Sequence, residues 1–153
     1  MHILEHRIPP PVVAALIAAG MWAVSDWGPR VSLAPELRIM MVGLLAVAGL
    51  AFDVLGLLAF RAMRTTINPL DPGSATALTT GGVYRITRNP MYLGMVLFLL
   101  AWTVHLSALL PLAGVLLFML YITRFQIQPE ERALSGIFGE AYAGYTARVR
   151  RWL

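Results

Sequence analysis

Two short stretches carry residue types that could do chemistry. The first reads Gly81-Gly82-Val83-Tyr84-Arg85-Ile86-Thr87-Arg88-Asn89-Pro90-Met91-Tyr92-Leu93-Gly94. Its glycines permit a tight backbone, and Pro90 suits the first position of a helix, where its missing N–H loses nothing. Free amides at that helix start, reinforced by Arg88, can hold an anion or an adenine-bearing ligand. A plain turn into a membrane helix, its arginines facing headgroups, presents the same pattern. The second stretch holds Arg124, Glu130, Glu131 and Arg132. Paired acids beside arginines make either a site or a solvated helix face. Asp53 stands alone in an apolar run, where an acid is costly in lipid and by default faces protein or water. It could pair with an arginine, act on a substrate amine, or fix helix packing. His2, His6 and His105 are scattered with no carboxylate at ligand spacing, so no metal site is expected.

The elements that must position these residues are apolar helices. A membrane crossing takes roughly 20 mostly apolar residues. Four stretches come close: 10–27, 37–60, 91–106 and 109–127, the last most apolar up to Ile122. The first opens on Pro9, Pro10 and Pro11, which suits a helix start and argues against a signal peptide. His105, Leu106 and Ser107 leave a tight turn between the last two, predicting an antiparallel hairpin. Small residues at Ala15, Ala19, Gly49 and Gly56 would let helices approach closely.

Arginine placement orients the four spans. Arg7, Arg61, Arg64, Arg85, Arg88, Arg124, Arg132, Arg148, Arg150 and Arg151 fall on the side of the termini and the long loop, against Arg30 and Arg38 on the other. The positive-inside rule then puts both termini in the cytoplasm. The loop over 62–90, with Pro69, Pro72, Gly73, Gly81 and Gly82, is too long for a mere connection. Beyond the fourth span, Pro129, Glu130 and Glu131 open a helix over 129–150. Leu134, Phe138, Ala141, Tyr145, Val149 and Trp152 recur at spacings of three and four, so one face is apolar and suits the membrane surface or the bundle. Gly136, Gly139 and Gly144 weaken that helix.

Composition sets the outer limits. The 153 residues are 58% hydrophobic and 13% charged, which is membrane composition, and the length allows one domain, 1–153. There is no cysteine, excluding disulfides, thiolate metal sites and a cysteine nucleophile. The net charge of +4 comes from arginine without lysine. On so apolar a chain it points to lipid headgroups, not nucleic acid.

The two polar stretches, in this order, resemble the signature of a family. Gly82 to Gly94, reading G-V-Y-R-I-T-R-N-P-M-Y-L-G, is similar to the G-x-Y-x-x-x-R-H-P-x-Y-x-G pattern of isoprenylcysteine carboxyl methyltransferases and related phospholipid methyltransferases. Arg124, Glu130-Glu131, Leu134, Phe138-Gly139, Tyr142, Tyr145, Arg148 and Arg151 resemble the family's C-terminal segment. Thr65-Thr66-Ile67-Asn68-Pro69 and Leu78 to Gly81 resemble its bacterial branch. The resemblance covers about residues 61–153. It implies an all-α integral membrane enzyme of about four transmembrane helices, set in a bacterial inner membrane. The cytoplasmic loop and C-terminal amphipathic helix would form a site for S-adenosylmethionine, and a lipid-like acceptor would enter from the bilayer.

Carried over residue by residue, the resemblance implies that Tyr84, Asn89, Pro90, Tyr92, Gly94, Glu130 and Glu131 surround the cofactor. Arg88, Arg124 and Glu131 would carry catalysis, with Arg124 near the acceptor. Asn89 stands where many members have histidine, and asparagine cannot become charged. Methyl transfer chiefly needs alignment of its reactants. A carboxylate acceptor needs an arginine clamp, whereas an amine needs a base such as Asp53, Glu130 or Glu131. Both remain open on sequence. So do a small transporter or channel subunit using Asp53 and an NADPH-dependent membrane reductase with a related core. A homodimer could cover apolar surface left by four short spans.

Overall fold

Proline marks the start of most helices in the computed structural model, which describes residues 8–63 and 77–153. The predicted contributions of His2, His6, Arg7, Arg64, residues 65–69, Pro72 and Gly73 lie outside the described residues. Helices α1 (Pro10–Ala23), α2 (Pro35–Met63) and α3 (Pro90–Leu106) each begin on a proline, and α4 (Leu112–Ile122) follows Pro111. A first-turn N–H has no partner within its helix, and proline's fixed φ already matches.

Pro129 departs from the expectation. No new helix opens there. Instead α4 runs through a five-residue π-turn, Thr123–Ile127, directly into α5 (Gln128–Thr146). Proline cannot donate to the backbone ladder, and the wider register of the π-turn just ahead accommodates the interruption. The break comes later, at Gly139, whose φ of 47° and ψ of −121° lie outside the helical region. α5 stops at Thr146, short of the expected 150.

The other boundaries shift for local reasons. α1 ends four residues before the expected 27, because the Ser25 hydroxyl donates to the Trp22 carbonyl (2.7 Å) and the chain turns there. Leu109 to Pro111 form a turn and not the first turn of α4. The predicted hairpin between α3 and α4 is present, closed by Ser107 in the left-handed region at φ 53°. The loop before α2 is tied to that hairpin: the Val31 amide donates to the Ser107 carbonyl (2.9 Å), and the Leu109 amide to Pro29 (3.0 Å).

Helices α1, α3 and α4 enclose one core, with Val13, Met21, Tyr92, Val96, Leu99, Val115, Phe118 and Ile122 buried together. Phe118 and Ile122 are wholly buried. α2 packs mainly on α3 and leaves Ile39, Leu44 and Val47 exposed. The residues 35–62 of α2, with mean hydropathy 2.3, and the continuous helix Leu112–Thr146 are long and apolar enough to cross a membrane; α1 and α3 are shorter apolar helices.

Glycine sets the closest approach. A Cβ on Gly49 would lie 3.0 Å from the Gly94 carbonyl oxygen, and one on Gly56 would lie 3.0 Å from Met91 Cγ. A methyl at either position would force its neighbour to give by a few tenths of an ångström, so glycine suits such a crossing. Ala15 and Ala19, expected to serve likewise, are exposed. The close contact of α1 with α4 is made instead at Gly114, where a Cβ would meet Met21 Cγ at 2.4 Å.

A second cluster forms where the segment before α3 meets α5. Val83, Tyr84, Tyr142 and Tyr145 are buried, with Phe52, Phe60, Leu78, Leu134, Phe138 and Val149 packed around them. The apolar face of α5 therefore covers the bundle. After the Gly139 kink Tyr142 turns inward, while Ala141, expected on the apolar face, is exposed.

Candidate active site

The two polar stretches meet. Gly82, with φ 58°, leads into a 3₁₀ turn over Gly82–Arg85 that buries Tyr84. Its ring stands edge-on to Phe60 at 5.5 Å, and its carbonyl accepts the Tyr145 hydroxyl at 2.7 Å. Burial pushes the Tyr84 and Tyr145 phenols well up, so both stay neutral and act as hydrogen-bonding groups only.

The chain then enters α3 through Thr87, Arg88 and Asn89, and here the C-terminus folds back over it. The Arg88 amide donates to the Arg150 carbonyl at 3.0 Å. The Thr87 hydroxyl and the Asn89 side-chain amide both donate to the Arg151 carbonyl, at 3.2 and 2.8 Å. Thr87 also accepts the Asn89 backbone amide at 3.2 Å. The side-chain amide of Asn89 is thus committed to a latch. The C-terminal residues form a strap across the start of α3.

That strap delivers a guanidinium. Arg151 grips Glu131 with two bonds, from Nε at 3.0 Å and from Nη2 at 2.7 Å. Arg88 Nη2 approaches the same carboxylate at 3.2 Å from the other side. A planar guanidinium matches a carboxylate's two oxygens, which makes the Arg151 pair strong and directional. Glu131 is therefore held by two guanidiniums. Arg88 keeps a second capacity, because its buried Nε has no partner among the described residues.

Glu130 meets different surroundings. It accepts the Tyr92 hydroxyl at 2.5 Å, from the first turn of α3. Burial, opposed by that hydrogen bond and supplemented by the charge of Glu131, pushes its carboxyl up to about 7. One of two adjacent acids is held by guanidiniums, and the other is poised to exchange a proton.

Pro90 and Gly94 work through α2. Pro90 is buried as the first residue of α3, beside Gly56. A Cβ on Gly94 would lie 2.2 Å from Asp53 Oδ1 and 2.8 Å from the Gly49 carbonyl, so glycine alone admits the Asp53 side chain there. Asp53 Oδ1 is buried without a partner among the described residues. No arginine among the described residues pairs with it.

Arg124 lies on the π-turn, about two helical turns before Glu131, with its guanidinium 5.5 Å from the Phe125 ring centre. Glu131 and Arg132 also line a cleft of about 400 Å³, with Gln128 and Ser135. Sequence reasoning singled out Arg88, Glu130, Glu131 and Tyr92 but gave no separate part to Arg151, Thr87 or Tyr142. No spacing rule links residues 131 and 151 across a kinked helix; the available signal was a basic C-terminus following two tyrosines.

The profile of the phospholipid methyltransferase family matches residues 37–141. The chain belongs to the phospholipid methyltransferase family. The match takes in most of α2, all of α3, the π-turn and both acids, while Tyr145, Arg151 and the strap lie beyond it. A phospholipid methyltransferase with long apolar helices is a membrane protein. An uncharacterized protein of Haemophilus influenzae is 49% identical over 63 residues, 41% of this chain and 100% of that protein. No solved structure matches.

Proposed function

We propose that this phospholipid methyltransferase transfers a methyl group from S-adenosylmethionine to the amine of a phospholipid headgroup at the cytoplasmic surface of a bacterial inner membrane. α1, α2, α3 and α4 with its π-turn are the four spans. The strap and α5 lie in the headgroup region. The whole chain, 1–153, acts as one domain.

The residues fit the cofactor. Its carboxylate would take Arg88 Nε, which has no partner among the described residues, and its hydroxyl or ammonium donors would reach Glu130. Tyr84, Pro90, Tyr92 and Gly94 build the wall where α3 begins. When bound, the group supplies an electrophilic methyl. The protein needs only to hold the acceptor in line and manage its proton.

Charge pairing carries the choice of acceptor. Arg88 and Arg151 both engage Glu131, so neither guanidinium offers an anion the full fork that a carboxylate acceptor requires. Beside these pairs stand two acids: Glu130, with its carboxyl near neutrality, and Asp53, whose Oδ1 has no partner among the described residues. A headgroup ammonium must lose a proton before it can attack, and Glu130 is placed and poised to take it. Asp53 would draw the cationic headgroup toward the α2–α3 seam, and Arg124 on the π-turn would meet its phosphate.

The test is methyl incorporation in proteoliposomes from labelled S-adenosylmethionine. Vesicles containing a primary-amine phospholipid should become labelled in the lipid fraction, and vesicles offering an isoprenoid carboxylate should not. The reverse pattern would replace the amine with a carboxylate acceptor.

A further inference from the structure

The end of the bundle away from the two glutamates has a polar cavity of its own. A hollow of about 580 Å³ opens where the chain leaves α1, enters α2 and leaves α3. The 17 residues of α3, about 25 Å of helix, separate it from Pro90. Trp22, Asp26, Arg30, Arg38, His105 and Ser107 are among its lining residues.

The charges there do not cancel. Asp26 and Arg30 pair with each other in the loop after α1. Arg38 is half-buried, and its guanidinium has one polar contact among the described residues, the neutral Ser107 hydroxyl at 3.3 Å. A guanidinium carries five N–H donors, so most of this fork is unmet by protein. The wall is also fixed in place. Ser107 is held in its turn by the Val31 amide, and Leu109 by Pro29. An uncompensated cation on a fixed wall favours an anion.

The rim identifies the anion's carrier. Trp22 and Trp27 are 65% and 80% exposed, and amphipathic tryptophans of this kind settle at headgroup level. In the turns of α2 that follow Arg38, Ile39, Met40 and Leu44 are exposed, an apolar track along the helix. A free phosphate has no use for such a track, whereas acyl chains do.

We infer that this cavity is a second lipid site, binding the phosphate of a phospholipid headgroup in the leaflet opposite the active site, with Arg38 as its principal partner. The inference does not depend on methyl transfer, and its test involves neither the cofactor nor turnover.

Native mass spectrometry of the detergent-released protein would read it directly. Phosphatidylglycerol, a diacylglycerol with the same chains, and inorganic phosphate would be added separately. Phosphatidylglycerol should be retained and diacylglycerol lost. Arg38→Gln should lower phosphatidylglycerol retention about tenfold, the scale of one lost charge-assisted hydrogen bond. Ser107→Ala, a milder change, should lower it less. Unchanged melting of both variants would assign these losses to binding and not to folding. Equal retention of diacylglycerol, or full retention by folded Arg38→Gln, would overturn the site. Retention of inorganic phosphate that displaces the lipid would overturn the lipid assignment.

Discussion

Adjacent acids on α5 meet different surroundings: Glu131 lies between two guanidiniums, while Glu130 accepts one neutral hydroxyl. The difference predicts a pH profile. A base must be deprotonated, so turnover should climb as pH rises through about 7 and level off above it. Glu130→Gln should be slower throughout and lose that limb, as rates measured from pH 5.5 to 8.5 (about three units around the poised carboxyl) would show. The same shift acts on stability with the opposite sign. Unfolded, this carboxyl titrates near its ordinary 4.5; folded, near 7; so the folded state binds more protons across that window. Stability therefore falls as pH rises from 4.5 to 7 and is flat above. Gly94 gives a second residue-scale prediction. A methyl there would overlap Asp53 Oδ1 and the Gly49 carbonyl, so Gly94→Ala should destabilise by about 1–3 kcal/mol, the usual cost of overpacking. Thermal melting in detergent would read it. Asp53→Ala should relieve only part of the loss, because the Gly49 oxygen stays in place.

At the scale of elements, the C-terminal strap is what turns two motifs into one site. It latches onto Thr87 and Asn89 by its backbone and onto Glu131 by Arg151. Arg151→Ala should leave Glu131 gripped from one side only and lower kcat about 10- to 100-fold, as loss of a strong orienting pair does. Arg151→Lys should recover little of it, since an ammonium cannot bridge both oxygens. A purely structural role would move melting and leave kcat intact. The strap also marks where sequence reasoning reached its limit. Pro90 announced α3, and the pair Glu130-Glu131 announced its own helix turn, because each signal is local. The grip of residue 151 on residue 131 depends on the left-handed Gly139 between them, which no periodicity contains. Pro129 looked like a helix start for a sound reason, and the π-turn ahead of it removed that reason. Asn89 could be placed at the site by type, but its commitment to the Arg151 carbonyl appears only when the C-terminus has folded back.

For the whole molecule, the all-α architecture follows from composition and helix-length apolar runs, which is why it was legible early. The orientation rests on arginine distribution and invites a direct check. Because the chain has no cysteine, single cysteines can be introduced without background. A cysteine at Ser32, exposed before α2, should react with an impermeant thiol reagent added to intact cells, and one at Glu140, exposed on α5, only after lysis. The opposite pattern would invert the protein in the membrane and move the active site outside.

On the proposed function, the Arg88–Glu131–Arg151 arrangement, with Glu130 and Tyr92, is built around S-adenosylmethionine. Calorimetric titration of S-adenosylhomocysteine into the detergent-purified protein, with NADPH in parallel, tests this most directly. Micromolar binding of S-adenosylhomocysteine alone, abolished in a folded Glu131→Ala variant, is the result expected. No heat from folded wild-type protein, or unchanged affinity in that variant, would contradict the account, and binding of NADPH instead would make the chain a reductase.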